Sequence, residues 1–534
     1  MRVVATVQKS GKQIAKRRIL IAQQGRNIIP LLGLMVLFVS LWIYLGTQPG
    51  RSTLNHDEMW GATAANLSLF DAIVFTLRFD IHPPLYYAQL NLWSAFGHSD
   101  QWLQLNSAVW LVGAATIVFH IIRKNCDILS AGVAAALMLT SPMLVGYSLL
   151  VRMYTFLCFL TAVGIMLSDN ILLSLARHEV IMRREWIMLF IVQAITVYSY
   201  ALGFIISGAT YAYILLEGRR LGASRTFFLR LTEFNMLLGL VALPAIGNSL
   251  VRQAGHGAKP TYDLVLSSAT ELLVGEKLAH LGSGTAILFL ALAIALGAAI
   301  RLSPRSRNLA IAFLALPMTF VFAVSYALRP VWITYIFLFC VPVFHLALGY
   351  GIYAAQRRNA WVKFKEHRLA AITAAAVLIV LTQTLTIIKN ARVEKVPNYP
   401  ALLARYEGNP GDCIAALDTF DVFWGLSRYI VGAHWNGGLR VQGEPVRRWK
   451  TILASLPRDW AKAFHLIPTS DRVSHAGITV IAGYPSRLDD NCRRLFVAGK
   501  ETDFESESQA FSKIPVQAES GPVAIRGPIS NNAQ

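Results

Sequence analysis

Eleven apolar runs, each of about 14 to 22 residues, leave this chain few ways to fold. A run of that length crosses a bilayer core of roughly 30 Å at 1.5 Å rise per residue. In hydrocarbon an unpaired backbone amide or carbonyl costs several kcal/mol, so each run must be helical. Composition agrees: of 534 residues 55% are apolar and only 15% charged, against about 25% charged in soluble domains. The expectation is a mainly α, polytopic transmembrane bundle.

The runs fall at about 29–46, 103–122, 128–147, 154–173, 186–200, 203–216, 229–247, 284–300, 308–327, 332–353 and 369–388. The segments between them alternate in basic content. The N-terminus, Arg123-Lys124, Arg177/Arg183/Arg184, Arg219 to Arg230, Arg301/Arg305/Arg307 and Arg357 to Arg368 hold 24 Lys and Arg. The intervening segments, up to residue 389, hold seven: Arg51, Arg78, Arg152, Arg252, Lys259, Lys277 and Arg329. Basic loops stay cytoplasmic, so the N-terminus reads as inside and, after eleven spans, the C-terminus as outside. A shorter apolar stretch, 83–96, would invert every later loop if it crossed, and it reads as an interfacial helix on the outer face. The net charge of +19 sits in these clusters between apolar runs, which argues against a nucleic-acid partner. The first apolar run lacks a small-residue cleavage site and reads as a signal anchor.

Four parts follow: a basic cytoplasmic N-terminus (1–28), a membrane domain (29–388) with a first outer loop (47–102), an exported domain (389–500) and a polar tail (501–534) expected to be disordered. Strand-like runs at Cys413–Leu417, Ile478–Ala482 and Leu495–Val497, with a helix-like stretch from Phe420 to Val431, make the exported domain small, soluble and α/β. Cys413 and Cys492 are its only cysteines. Each flanks a strand outside the cell, where a disulfide can persist; two free buried thiols is the other reading. Trp424, Trp435, Trp449 and Trp460 are either core or platforms for a sugar ring.

Candidate chemistry lies on the outer side. The first loop holds Asp57-Glu58 ahead of an expected amphipathic helix (Trp60, Ala64, Leu67, Phe70, Ile73, Val74). A carboxylate there can take a proton from an acceptor hydroxyl, or Asp57 is simply a helix cap. His82-Pro83-Pro84 reads as a helix start whose His would suit a phosphate, or as a solvated turn. Arg152 and Arg329 are cations on a face depleted of them. They either snorkel or clamp an anion. The loop 248–283 is long enough for a lid. No glycine-rich phosphate loop, nucleophile elbow or Cys-x-x-Cys pair is present.

An acidic pair in the first outer loop, His82-Pro83-Pro84-Leu85-Tyr86-Tyr87 some 25 residues on, and Arg152-Met153-Tyr154 after the third span resemble the type-C polytopic glycosyltransferases. That group includes protein O-mannosyltransferases, the aminoarabinose transferase of lipid A and the galacturonosyltransferases of lipopolysaccharide core. The chain departs from it at Met153, where Pro is usual, and at Leu150, where many members have an acid. The resemblance implies that Asp57 is the base or orients the acceptor, that Glu58 assists it, and that His82 and Arg152 bind the carrier phosphate. Asp80, Tyr86, Tyr154 and Arg329 complete the substrate-binding candidates.

It implies a polyprenyl-phosphate-linked sugar as donor, because cytoplasmic nucleotide sugars do not reach the outer face. The acceptor would be a cell-envelope glycan, glycolipid or protein, and the anomeric centre would invert. The enzyme would sit in the cytoplasmic membrane with its site and C-terminal domain extracytoplasmic, in contact with membrane lipid. No cofactor is firmly implied, and a divalent cation stays open. The alternative is a transporter or flippase of a lipid-linked saccharide, which would carry ionisable residues at mid-bilayer depth. The spans read as clean of charge, and that favours surface chemistry.

Overall fold

The computed structural model describes residues 54–252, 257–357, 365–391, 399–406, 412–416, 424–431, 472–475, 478–482, 494–500, 516–520 and 523–526, and helical positions between 33 and 43. In chain order the helices are α1 (His56–Ala65), α2 (Leu69–Phe79), α3 (Leu85–Ser94), α4 (Asp100–Asn125), α5 (Ile128–Leu139), α6 (Pro142–Ser148), α7 (Tyr154–Ala176), α8 (Arg183–Val197) and α9 (Gly203–Arg220). They continue with α10 (Arg225–Arg252), α11 (Tyr262–Val274), α12 (Ser283–Leu302), α13 (Pro304–Ala327), α14 (Cys340–Arg357), α15 (Lys365–Ala391), α16 (Tyr399–Arg405) and α17 (Trp424–Val431).

Among the described residues five helices are long and apolar enough to cross a membrane, or six if α5 and α6 form one broken span. Every expected run contains helix, but several depart from a plain crossing. The run 128–147 is bent by 58° between α5 and α6. Pro142 opens α6, and Ser141 before it is extended (ψ 118°), as the clash with a following proline requires. The run 332–353 becomes helix only at Cys340, after a short 3-10 turn at Thr334–Phe337. Helix α3 is ten residues, about 15 Å long and half a bilayer core, so it cannot cross alone.

Inside α13, Pro317 cannot donate to the carbonyl four residues back, and a π turn at Ile311–Ala315 precedes it. The Cys340 thiol donates to that carbonyl, Phe313 O, at 2.9 Å, and the Cys158 thiol donates to Leu338 O at 3.4 Å. Both membrane cysteines thus bond backbone carbonyls rather than each other, and both are free thiols.

The two ends of the bundle differ chemically. α4 and α7 run parallel: Ser107 meets Leu150 at one end and the Lys124 ammonium reaches the Asn170 amide oxygen at the other. Along α7, Tyr154 and Asp169 stand roughly 22 Å apart. At the Asp169 end, Arg305 pairs with Asp169, Tyr213 donates to Asp169 at 2.8 Å, and Asn308 donates to the buried Glu217 at 2.7 Å. The basic clusters at the ends of α4, α7, α9, α12 and α14 therefore share one face. The first loop, Tyr198–Leu202 and Tyr335 share the opposite one, joined by Leu85 N to Tyr198 O and by Tyr154 against Tyr335. Asp169 corrects the expectation of charge-free spans, since it lies within 154–173. It is paired, and it sits toward the end of its helix rather than at mid-depth.

The C-terminal domain is built on a six-stranded mixed sheet in the order β2-β3-β1-β4-β6-β5. Its strands are β1 (Asp412–Ala416), β2 (Arg472–His475), β3 (Ile478–Ala482), β4 (Arg494–Lys500), β5 (Val516–Ser520) and β6 (Val523–Arg526). β1 lies parallel to β3 and β4, and the outer pairings are antiparallel. The tail expected to be disordered supplies β5 and β6, so the domain reaches at least Arg526. Ser and Glu made that segment look polar, but its alternation is that of a sheet strand, with Ile525 fully buried. Cys413 is disulfide-bonded; Cys492 lies outside the described residues, as do Trp435, Trp449 and Trp460.

Candidate active site

The site forms where α1 meets the irregular segment 149–153 between α6 and α7. The expected single amphipathic helix after the acids is two, α1 and α2, broken at Asn66–Ser68 because Ser68 caps α2 by accepting from Asp71 N. Asp57 is not the cap of α1. Asn55 is: its side chain accepts from Glu58 N, and Glu58 Oε2 accepts from Asn55 N, both at 3.0 Å, a reciprocal capping box. That box turns Glu58 inward and leaves Asp57, one residue earlier, facing outward.

Glu58 also accepts Val151 N at 2.8 Å through Oε1. From α4, Ser107 donates to the carbonyls of Leu150 (2.5 Å) and Arg152 (3.3 Å). Buried backbone that is neither helix nor strand is costly unless protein groups satisfy it, and Glu58 and Ser107 do so here. Close approach of α1 is allowed by Gly61, where an added Cβ would stand 3.1 Å from Val151 O.

The Arg152 guanidinium, 10% exposed, points back at α1. Its Nη1 donates to Asp57 O at 3.1 Å, and its Nη2 stands 3.9 Å from the Asp57 carboxylate, which is 56% exposed. Arg152 Nε is buried with no acceptor among the described residues. A buried guanidinium with an unused N–H beside an exposed carboxylate has capacity for a further anion.

Around it stand Tyr154, turned toward the guanidinium, and Tyr147, Tyr200 and Tyr335, whose rings lie 5.0, 6.2 and 5.3 Å from that of Tyr154. His82 stacks on Tyr200 at 5.1 Å and accepts Ala201 N through Nδ1 at 3.5 Å. Burial is the main reason its pKa falls to about 4; Asp80 pulls it up and Arg152 down. His82 is therefore a neutral imidazole near pH 7, suited to hydrogen bonding rather than to charge pairing. The neighbouring helix N-terminus does not present its first amide to a ligand either, because Leu85 N is bonded to Tyr198 O at 2.9 Å. Asp80 accepts from His82 N at 2.9 Å and from the Tyr87 hydroxyl, so it braces the loop. Tyr86 is fully buried and packs edge-on to Tyr87.

Arg329 is half-buried just after α13, its amide bonded to Val324 O. Six residues on, Tyr335 reaches the site. The expected lid, 248–283, contains the ordered helix α11. That helix ends on Gly275 (φ +74°), where a Cβ would stand 2.5 Å from Pro142 Cβ, so both conformation and space demand glycine. Among the described residues no three His, Cys, Asp or Glu side chains converge as a metal site; His256 lies outside them. Sequence reading passed over Tyr147, Tyr200 and Tyr335, since an aromatic at a helix end carries no local sign of a shared box.

Burial pushes the Glu58 carboxyl from 4.5 up to about 7, against two amide bonds that favour its charge. The folded value lies above the unfolded one. Glu58's contribution to stability is therefore whole below pH 4.5, declines as pH rises and is gone above about 7. Glu58→Gln should flatten that part of the profile and, with one oxygen left for two amides, lower stability by about 1–3 kcal/mol at low pH. Thermal unfolding of the detergent-solubilised pair across this range checks it; parallel curves would show that Glu58 does not titrate there.

An interrupted helical bundle, short helices on the acid-bearing face and a C-terminal sheet domain make up a fold that is shared with solved type-C membrane glycosyltransferases. The particular likeness is to ArnT from Cupriavidus metallidurans, an aminoarabinose transferase of that group. The apo structure superposes with a TM-score of 0.56 at 12% identity, over 93% of this chain and 98% of that one. The same enzyme bound to undecaprenyl phosphate gives 0.57 at 11%, with equal coverage. At such identity what is shared is the fold. No protein-family model and no curated protein sequence matches the chain.

Proposed function

We propose that the protein transfers a sugar from a polyprenyl-phosphate donor to an acceptor on the face that carries the first loop, with Asp57 as base and Arg152 on the donor phosphate. The observation that carries this is the buried Arg152 guanidinium, with an unused N–H, beside the exposed Asp57 carboxylate. The ArnT structure holding undecaprenyl phosphate supports a donor of that class. Counting basic loops as cytoplasmic makes this face extracytoplasmic, on eleven spans of the cytoplasmic membrane, with membrane lipid around them.

In the proposed step the acceptor hydroxyl oxygen attacks the anomeric carbon from the side opposite the phosphate. The carbon–oxygen bond to phosphate breaks, the electron pair leaves on polyprenyl phosphate, and the hydroxyl proton passes to Asp57. Arg152 stabilises the charge that grows on the leaving group. Glu58, with both oxygens on backbone amides, holds the Arg152 segment against α1 rather than meeting substrate. His82, Tyr154 and Tyr86 form the neutral side of the site, Asp80 holds the loop, and Arg329 is a second contact for the phosphate. The acceptor is a cell-envelope glycan, glycolipid or protein.

Purified protein in vesicles with radiolabelled polyprenyl-phosphate sugars and candidate acceptors tests this. Transfer with inversion is the expected result. Movement of the lipid across the vesicle without transfer would replace the assignment with a flippase, and transfer with retention would remove the single-step mechanism.

A further inference from the structure

Helix α17 of the C-terminal domain lies against the start of α1 and α4, and Arg428 and Tyr429 both bond across that contact. Arg428, 1% exposed, gives Nε and Nη2 to Asp100 Oδ1 at 3.2 and 2.5 Å. The Tyr429 hydroxyl donates to Asp100 Oδ2 at 2.5 Å and accepts Leu54 N at 3.0 Å. Tyr429 also stacks on Tyr399 of α16 at 6.0 Å. Leu54 directly precedes Asn55, the cap of α1, and stands three residues before Asp57. Asp100 opens the 26-residue helix α4, whose Ser107, two turns further, grips the carbonyls beside Val151.

One carboxylate–arginine–phenol triad thus joins the C-terminal domain to both supports of the site: the strand of chain entering α1 and the helix that holds the Arg152 segment. An arginine buried at this depth is retained only with its partner, because removing one member leaves an unpaired buried charge. The Leu54 amide precedes the capping box, so the Tyr429 hydroxyl takes a donor that the helix itself cannot satisfy.

We propose that Asp100, Arg428 and Tyr429 form a clamp by which the C-terminal domain positions Asp57, making that domain part of the active centre rather than an appendage for acceptor choice. Tyr429 is a positioning residue: it reaches no reacting atom and acts through the backbone at Leu54. Its importance for catalysis rests on the transferase reading above; its effect on α1 does not.

Tyr429→Phe keeps the ring and removes only the hydroxyl. In the full-length protein it should lower kcat about tenfold with the KM for the lipid-linked donor within about twofold, since small misplacements of a reacting group are costly while binding is not. Placed in an Asp57→Asn background, the same change should have little further effect, because the two act as one unit. Hydrogen–deuterium exchange should show faster exchange over residues 54–58 in Tyr429→Phe than in the parent. Arg428→Lys, which keeps the charge but not the fork, should show the same pattern more weakly. Equal exchange at 54–58 overturns the clamp whatever the protein catalyses. Faster exchange with kcat unchanged, or an equal fold-loss in both backgrounds, overturns its positioning role. If the parent transfers no sugar at all, it is the transferase reading that falls, and the exchange result still decides whether the clamp exists.

Discussion

Replacing Arg152 by Gln is expected to lower kcat/KM for the lipid-linked donor by about 10²–10³-fold, the usual effect of deleting one preorganised charge-stabilising donor at a leaving group. The size follows from burial. The guanidinium is 10% exposed, so water does little to screen a phosphate placed beside it. Arg152→Lys keeps the charge and loses the planar fork, and should recover part of the loss. The fold should survive both changes, because Glu58 and Ser107 hold the segment through its backbone at Val151, Leu150 and Arg152, independently of the Arg152 side chain. Steady-state kinetics with donor varied decides it. A Gln variant within threefold of the parent would leave Arg152 as a structural arginine, with no part in holding phosphate.

Asp57→Asn should remove turnover by about 10²–10⁴-fold, the range that general-base catalysis contributes, with little change in thermal stability. Both halves come from the same geometry. The carboxylate is 56% exposed and 3.9 Å from Arg152, a separation and exposure at which an ion pair contributes about 0–1 kcal/mol to the fold. Its partner Glu58 is the reverse case: buried at 2%, doubly bonded to backbone, and expected to show its effect in stability. The pair therefore predicts a split, activity lost at Asp57 and stability lost at Glu58. Matched turnover and unfolding measurements on the two variants check it, and near-normal turnover in Asp57→Asn would end its role as base.

Much of the architecture is legible without coordinates, because its causes are local. An apolar run of span length must be helical in lipid, and a Lys/Arg count separates the two ends of a bundle. The structure groups Arg123, Arg177, Arg219, Arg301 and Arg357 at helix ends away from Tyr154, in keeping with that count. Strands β1, β3 and β4 were visible for a similar reason, as short apolar runs bounded by turn residues. Where reading failed, a longer-range partner decided the outcome. The 501–534 segment looked like a tail until β6 found β4. His82 could equally be a solvated turn residue until Tyr200 stacks on it and the packed loop buries it. Asp169 can lie inside an apolar run because Arg305, which neutralises it, arrives from 136 residues later.

The sequence alone settled that this chain lives in a membrane as a helical bundle with chemically opposite ends, and it named Asp57 and Arg152 as residues to watch. Backbone desolvation and charge act on each segment separately, so no partner had to be known. Only tertiary packing could show that those two side chains, 95 positions apart, meet while Glu58 turns away to anchor the backbone. Which of two adjacent carboxylates stays in water is set by where α1 leans on the segment before α7, and that depends on how helices far apart in the chain come to rest against each other.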